Sequence, residues 1–181
     1  MTDSLDLKKY IRTVNNFPID GIEFRDITSL IETPEAFVKT CDELTKIADT
    51  FKPNIVTSIE SRGFIFAGTI ARDLKLPFVL ARKPGKLPNE TYQKSFDLEY
   101  GSTSIEIQRN TAIEPDHKIV IVDDLVATGG TAIACAEILV EDFNIKDSNI
   151  LILTIIDLPN LGGRNLIKQK GFNIEYLIAY E

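Results

Sequence analysis

Val120-Ile121-Val122-Asp123-Asp124-Leu125-Val126-Ala127-Thr128-Gly129-Gly130-Thr131 is the stretch on which the reading of this chain turns. It grows out of residues 118–122 (KIVIV), a continuous apolar run suited to a central parallel strand covered on both faces. The strand delivers two carboxylates to its carboxyl end, and a loop of small residues follows at once and opens a helix expected over residues 130–141. In doubly wound sheets, ligands sit beyond the carboxyl ends of the strands. The loop 127–131 can offer backbone N–H groups and two hydroxyls to a phosphate, and the helix N-terminus adds its partial positive charge. Glycines at 129 and 130 permit a close backbone approach and positive φ. Asp123 and Asp124 repel a phosphate but suit hydroxyl donors, so a ribose that carries a phosphate fits the whole array. A plain strand-turn-helix with aspartate caps is the alternative. A bare GG turn would favour that alternative, whereas the full string favours the phosphate site.

Outward from this stretch, residues 55–59, 78–81, 150–156 and 176–179 read as strands, and residues 64–74 and 161–170 as helices. Pro34 suits a helix first turn with Thr33 as its cap. Phe37, Cys41, Leu44, Ala48 and Phe51 recur at helical spacing and predict one buried face, with Lys52-Pro53 ending the helix. Residues 5–14 read as a short amphipathic helix. Strands alternating with helices predict an α/β fold with a central, mostly parallel sheet flanked by helices. Between residues 87 and 108 the pattern turns polar and aromatic and alternates near Ile105 and Ile107. This predicts a flexible hairpin or flap standing off the sheet. With no linker-like segment or repeat, all 181 residues read as a single domain.

Composition narrows the function. A net charge of −7 disfavours nucleic-acid partners. No stretch approaches the apolar length of a membrane span, and the acidic start, Met1-Thr2-Asp3-Ser4-Leu5-Asp6, does not look like a secretory signal. Cys41 and Cys135 sit in helical apolar patterns and read as reduced core residues of a cytoplasmic protein. A lone histidine and no CxxC pair argue against a zinc site, and no residue is assigned as a metal ligand.

Two further segments carry charge where an anion would sit. Glu60-Ser61-Arg62-Gly63-Phe64 follows a strand and opens a helix. Arg82-Lys83-Pro84-Gly85-Lys86-Leu87-Pro88 gathers three cations within five residues. A charge run is usually a solvated face. This one follows a strand and holds a glycine turn in an acidic chain, which favours a phosphate site. His117 precedes a strand on its amino-end side, away from the expected site, and reads as a surface residue.

The stretch 120–131 resembles the phosphoribosyl pyrophosphate signature of type I phosphoribosyltransferases. The segments at 60–64, 82–88, Leu98-Glu99-Tyr100-Gly101 and Phe24-Arg25-Asp26-Ile27 resemble their adenine-specific branch, and the likeness runs from about Pro18 to Arg164, including Leu161-Gly162-Gly163-Arg164. The resemblance implies the single-domain phosphoribosyltransferase fold. The implied activity is transfer of adenine to the ribose of phosphoribosyl pyrophosphate, giving AMP and pyrophosphate in purine salvage. Asp123 and Asp124 would hold the ribose, and Ala127, Thr128, Gly129, Gly130 and Thr131 the 5′-phosphate. Arg62, Lys83 and Lys86 would meet the pyrophosphate. Phe24 would stack on adenine, with backbone groups at Arg25 and Glu23 reading its edge. Glu99 would carry the proton role, which a flap surface charge would not, and Tyr100 would help close the lid. The resemblance further implies Mg2+ bound mainly through phosphoribosyl pyrophosphate, a homodimer, and a cis peptide between Glu60 and Ser61. Glu23 departs from the family, which usually carries an apolar residue there. Competing readings are the same chemistry on hypoxanthine, guanine, xanthine or orotate, and a non-catalytic regulatory module on this fold.

Overall fold

The computed structural model describes residues 6–97 and 102–180; Glu99 and Tyr100 lie outside the described residues. The chain forms two compact units, Met1–Glu43 and Leu44–Glu181.

In the first unit, the expected amphipathic helix over residues 5–14 is replaced by a 3-10 turn, Leu7–Tyr10, and a strand, β1 (Arg12–Asn15). The Asp6 side chain caps the turn by accepting from the Lys8 N–H, and β-branched Thr13 and Val14 suit the extended backbone that follows. Helical spacing in so short a window gave way to strand pairing. β1 pairs antiparallel with β2 (Glu23–Asp26), Thr13 opposite Arg25 and Val14 opposite Phe24. A short helix, α1 (Thr28–Ile31), follows.

Helix α2 (Pro34–Phe51) begins in the first unit and ends in the second. Cys41, Leu44 and Ala48 are buried as expected, together with Ala36 and Thr40, whereas Phe37 and Phe51 are only partly covered. The Thr40 hydroxyl is satisfied by the Ala36 carbonyl, 2.8 Å away.

The second unit is built on a seven-stranded sheet of order β5-β6-β4-β3-β7-β8-β9. Its parallel core comprises β3 (Ile55–Ile59), β4 (Phe78–Arg82), β7 (Ile119–Val126), β8 (Ile150–Asp157) and β9 (Asn173–Ala179). Residues 119–122 and all of β8 are buried, as strands covered on both faces require. Helix α3 (Gly63–Leu74) joins β3 to β4, α4 (Gly130–Glu141) joins β7 to β8, and α5 (Gly163–Gln169) joins β8 to β9. From β3 the chain crosses to β4, and from β7 it crosses to β8 in the opposite direction. Right-handed crossovers in opposite directions place α3 and α4 on opposite faces. The same divergence makes the carboxyl ends of β3 and β7 the topological switch point, where such sheets bind ligands.

Three kinds of difference from expectation bear on the site. First, β7 runs on to Val126, so Asp123 and Asp124 belong to the strand, and β8 includes Asp157. The register Val126 opposite Asp157 shows why: β8 continues to pair with β7 beyond the apolar run. Second, the last helix is shorter. Pro159–Leu161 form a 3-10 turn, and Gly162, at φ +79°, separates it from α5. Third, the expected flap does not stand off the sheet. β5 (Thr91–Asp97) and β6 (Ser102–Gln108) form an antiparallel hairpin, and β6 pairs with β4 through Ala81–Ile107 and Arg82–Glu106. Ile105 and Ile107 are buried in the main core, so apolar burial fixes the base of the hairpin.

Candidate functional site

A cavity of about 610 Å³ opens at the switch point of the second unit. Its walls come from the loop after β3, the end of β7 with its following loop, Lys83 after β4, and Phe96 and residues 103–105 of the hairpin. Arg62, Asp123, Asp124, Ala127, Thr128, Gly129, Gly130, Thr131 and Lys83 all line it. Phe24 and Arg25 belong to the first unit, on β2. Lys86 is exposed and lies outside the residues that line the cavity.

The loop after β3 turns sharply through a cis peptide between Glu60 and Ser61. It then enters α3 at Gly63, which is buried against the sheet. A Cβ there would lie 2.5 Å from Ser58 Oγ, 2.8 Å from the Val122 carbonyl and 3.0 Å from Asp123 Cα. Only a glycine lets the start of α3 press against the acidic end of β7. Arg62 sits beside this contact, its Nε 2.8 Å from Asp124 Oδ2.

Asp124 is buried, and Asp123 is partly covered, with its Oδ1 accepting from the Asp124 N–H at 2.8 Å. Burial, followed by the neighbouring Asp124 charge, holds the Asp123 carboxyl well above the usual carboxylate range. Burial therefore makes Asp123 a reluctant anion. A ligand bearing hydroxyl donors gives the ionised pair what water would otherwise supply.

The loop after β7 follows the sequence expectation at Gly129 but not at Gly130. Gly129 takes φ +84° and caps α4, whereas Gly130 is already helical and does not use positive φ. The first turn of α4 carries no acidic side chain to compete for its amides. The N-terminus of this twelve-residue helix is open to an anion.

The cationic segment is organised differently from the sequence reading. Arg82 does not offer itself to a ligand. Its Nε lies 2.7 Å from Glu60 Oε2, and its Nη1 donates to the Lys86 carbonyl at 3.2 Å. Glu106 on β6 accepts from the Gly85 N–H at 3.2 Å. Two carboxylates thus shape the turn, and Lys83 is the cation of this segment that faces the cavity. The sequence reading did not foresee Glu60 as the partner of Arg82, Glu106 as the acceptor for Gly85, or the hairpin as a wall of the cavity. The period-two alternation of residues 102–108 was the signal that could have placed that strand against the core.

On β2, Glu23 and Arg25 share one backbone phase, so their peptide groups point to the same edge. The Glu23 carboxylate is engaged by Arg25, Nη2 to Oε2 2.7 Å, and Arg25 Nη1 donates to the Thr13 hydroxyl. The ring of Phe24 meets Phe17 edge to face at 5.1 Å. His117 lies ahead of β7, its Nδ1 accepting from the Glu114 N–H at 3.1 Å, at the end of the strand opposite the cavity. Cys135 is fully buried, and that burial pushes its thiol up, consistent with an inert core residue.

Comparison with known proteins places this arrangement in a family. Residues 28–172 match the phosphoribosyl transferase domain. The adenine phosphoribosyltransferase of Agathobacter rectalis is 41% identical over 175 residues, covering 97% of each chain. The crystal structure of adenine phosphoribosyltransferase from Thermoanaerobacter pseudethanolicus superposes with a TM-score of 0.86 at 40% identity, over 96% of this chain and 98% of that one. The APRTase of Giardia lamblia, solved with 9-deazaadenine, gives a TM-score of 0.90 at 35% identity over 97% of each. The cavity at the switch point, its acidic strand end and its glycine loop are thus those of a chain that belongs to the adenine phosphoribosyltransferase family.

Proposed function

We propose that this protein transfers the phosphoribosyl group of phosphoribosyl pyrophosphate to adenine, releasing AMP and pyrophosphate in purine salvage. The observation that carries this reading is one cavity lined by the Asp123–Asp124 pair, the 127–131 loop and Arg62. A nitrogen of adenine bonds to the ribose carbon as the bond to pyrophosphate breaks. The electron pair leaves with pyrophosphate, and the attacking nitrogen loses its proton. Positive charge develops on the ribose and negative charge on the leaving group.

Each group has a place in that scheme. The ionised Asp123–Asp124 pair accepts the ribose hydroxyls, and amides of residues 127–131 cradle the 5′-phosphate. Arg62 and Lys83 stabilise the departing pyrophosphate, with Lys86 joining when substrate is bound. The Arg62–Asp124 ion pair makes the cation over the leaving group also a contact of the ribose-binding carboxylate. Phe24 stacks on the base, and the Glu23 and Arg25 backbone reads its edge. The salt link to Arg25 accounts for a tolerated carboxylate at position 23. Glu99 moves the proton, and Tyr100 closes the lid, excluding water that would hydrolyse the activated ribose.

Magnesium fits this site as a companion of the substrate. It commonly takes one or two carboxylates plus substrate phosphates, and the cavity offers the oxygen donors of Asp123 and Asp124. When bound it neutralises pyrophosphate charge. A cytoplasmic homodimer, each chain acting as one phosphoribosyltransferase domain whose hairpin tip serves as the lid, completes the reading and rests on family resemblance.

The test is pyrophosphate release with adenine, hypoxanthine, guanine, xanthine and orotate, each supplied with phosphoribosyl pyrophosphate and magnesium. Release with adenine alone is the expected result. Equal or greater release with another base would reassign the acceptor, and none with any base would favour a non-catalytic role.

A further inference from the structure

The connection between β8 and α5 runs against the loop 127–131. Two backbone hydrogen bonds lace them together: the Leu158 N–H donates to the Val126 carbonyl at 3.0 Å, and the Gly163 N–H to the Ala127 carbonyl at 3.0 Å. Gly163 is buried. A Cβ built on it would lie 2.3 Å from the Ala127 oxygen, 2.7 Å from the Gly129 nitrogen and 2.7 Å from the Thr128 carbonyl carbon. All three are backbone atoms, which cannot swing aside as a side-chain end can. The approach is mutual, since a Cβ on Gly129 would come within 3.1 Å of the Gly163 carbonyl. The connection itself is anchored. Arg164 Nη1 lies 3.1 Å from Oδ2 of fully buried Asp157 and donates to the Tyr176 hydroxyl at 2.6 Å.

From this contact we propose that Gly163 is a positioning residue for the 5′-phosphate cradle. It has no Cβ so that its backbone can abut the loop and hold the amides of residues 128–131 aimed into the cavity. This rests on the reading of residues 127–131 as the phosphate cradle. A methyl group at position 163 must push the loop by several tenths of an ångström or more. Displacements on that scale erode binding geometry built from several convergent amides.

The experiment measures ribose 5-phosphate binding by calorimetry to wild type, Gly163→Ala and Gly171→Ala. Gly171, unlike Gly163, holds positive φ, and its added Cβ would meet only the Asp147 side chain at 3.6 Å, so it controls for general strain without crowding the loop. Gly163→Ala is expected to weaken ribose 5-phosphate binding by about tenfold or more and to raise KM for phosphoribosyl pyrophosphate in step. KM for adenine should stay within about twofold, and Gly171→Ala should bind as wild type. Folded Gly163→Ala with wild-type affinity, or an equal loss in Gly171→Ala, overturns the proposal. Wild type that fails to bind ribose 5-phosphate overturns the cradle reading itself, and the proposal with it. Should Gly163→Ala not fold, amide exchange on wild type decides. Added ribose 5-phosphate is expected to slow exchange at the Gly163 amide, and an unchanged rate overturns the proposal.

Discussion

Arg62 and Asp124 form an ion pair, Nε to Oδ2 2.8 Å, that ties the loop after β3 to the acidic end of β7. Asp124 is 6% exposed, so this arginine is its main charge partner across the switch point. Losing the guanidinium strands a buried carboxylate and, in the proposed reaction, removes a cation from the leaving group. Arg62→Ala should lower kcat/KM for phosphoribosyl pyrophosphate by about 100-fold or more. Arg62→Lys keeps the charge but loses the planar fork and should fall between. Steady-state kinetics check this; an Arg62→Ala enzyme within about threefold of wild type would remove Arg62 from the site.

Asp123 should cost the fold stability. Its carboxyl is held above its ordinary range first by burial and then by the Asp124 charge. A raised carboxyl favours the folded state only while protonated, and that contribution is lost as pH rises through the folded value. At neutral pH, above the ordinary carboxylate range, Asp123 therefore costs stability. Asp123→Asn should melt higher than wild type near neutral pH, by about 2–4 °C for each kcal/mol relieved. The difference should shrink toward zero as pH falls below the raised value. The same variant should lose most of its kcat/KM for phosphoribosyl pyrophosphate. Melting curves across pH test the first part, and a Tm below wild type at neutral pH would contradict it.

Much of this site could be read directly from residue order, because it is built from local devices. The apolar run 118–122, the acidic pair and the Gly129–Gly130 loop lie within one stretch, so their chemistry is visible without tertiary contacts. Asp123 and Asp124 nevertheless sit on β7, because pairing with β8 continues to Val126. That register lies 31 residues away in sequence and has no local signature. Arg82 misled for the same reason. It resembles a phosphate ligand beside Lys83, but Glu60, 22 residues earlier, claims it. The hairpin was misjudged because Ile105 and Ile107 alternate with polar residues, and only β4 beside them shows that the alternation faces a core.

The Arg82–Glu60 pair links the loop after β3 to the turn after β4, since Arg82 also holds the Lys86 carbonyl. Residues in one network couple, so their losses should not add. Arg82→Ala and Glu60→Gln should each raise KM for phosphoribosyl pyrophosphate by about tenfold. The double variant should be no worse than the poorer single. Fully multiplied effects would show that the two residues act separately.

The base of the hairpin should be fixed in the free protein. Ile105 and Ile107 are buried in the main core, so their amides should exchange slowly without substrate. Glu99 carries the proton role in the proposed reaction, and Glu99→Gln should lower kcat by about 100-fold while changing KM for adenine little. Rapid exchange at residues 105–107 in the free protein would contradict the fixed base. A Glu99→Gln enzyme altered chiefly in KM would remove Glu99 from the proton step.

The central claim is that the switch-point cavity joins adenine to a phosphoribosyl group. It is tested most directly by incubating the protein with radiolabelled adenine, phosphoribosyl pyrophosphate and magnesium and separating the products. The account predicts label moving into AMP with one pyrophosphate released for each AMP formed, and loss of that conversion when Asp123 and Asp124 are both changed to Asn. Label that stays in adenine with the wild-type protein, or conversion that survives the double change, would contradict it.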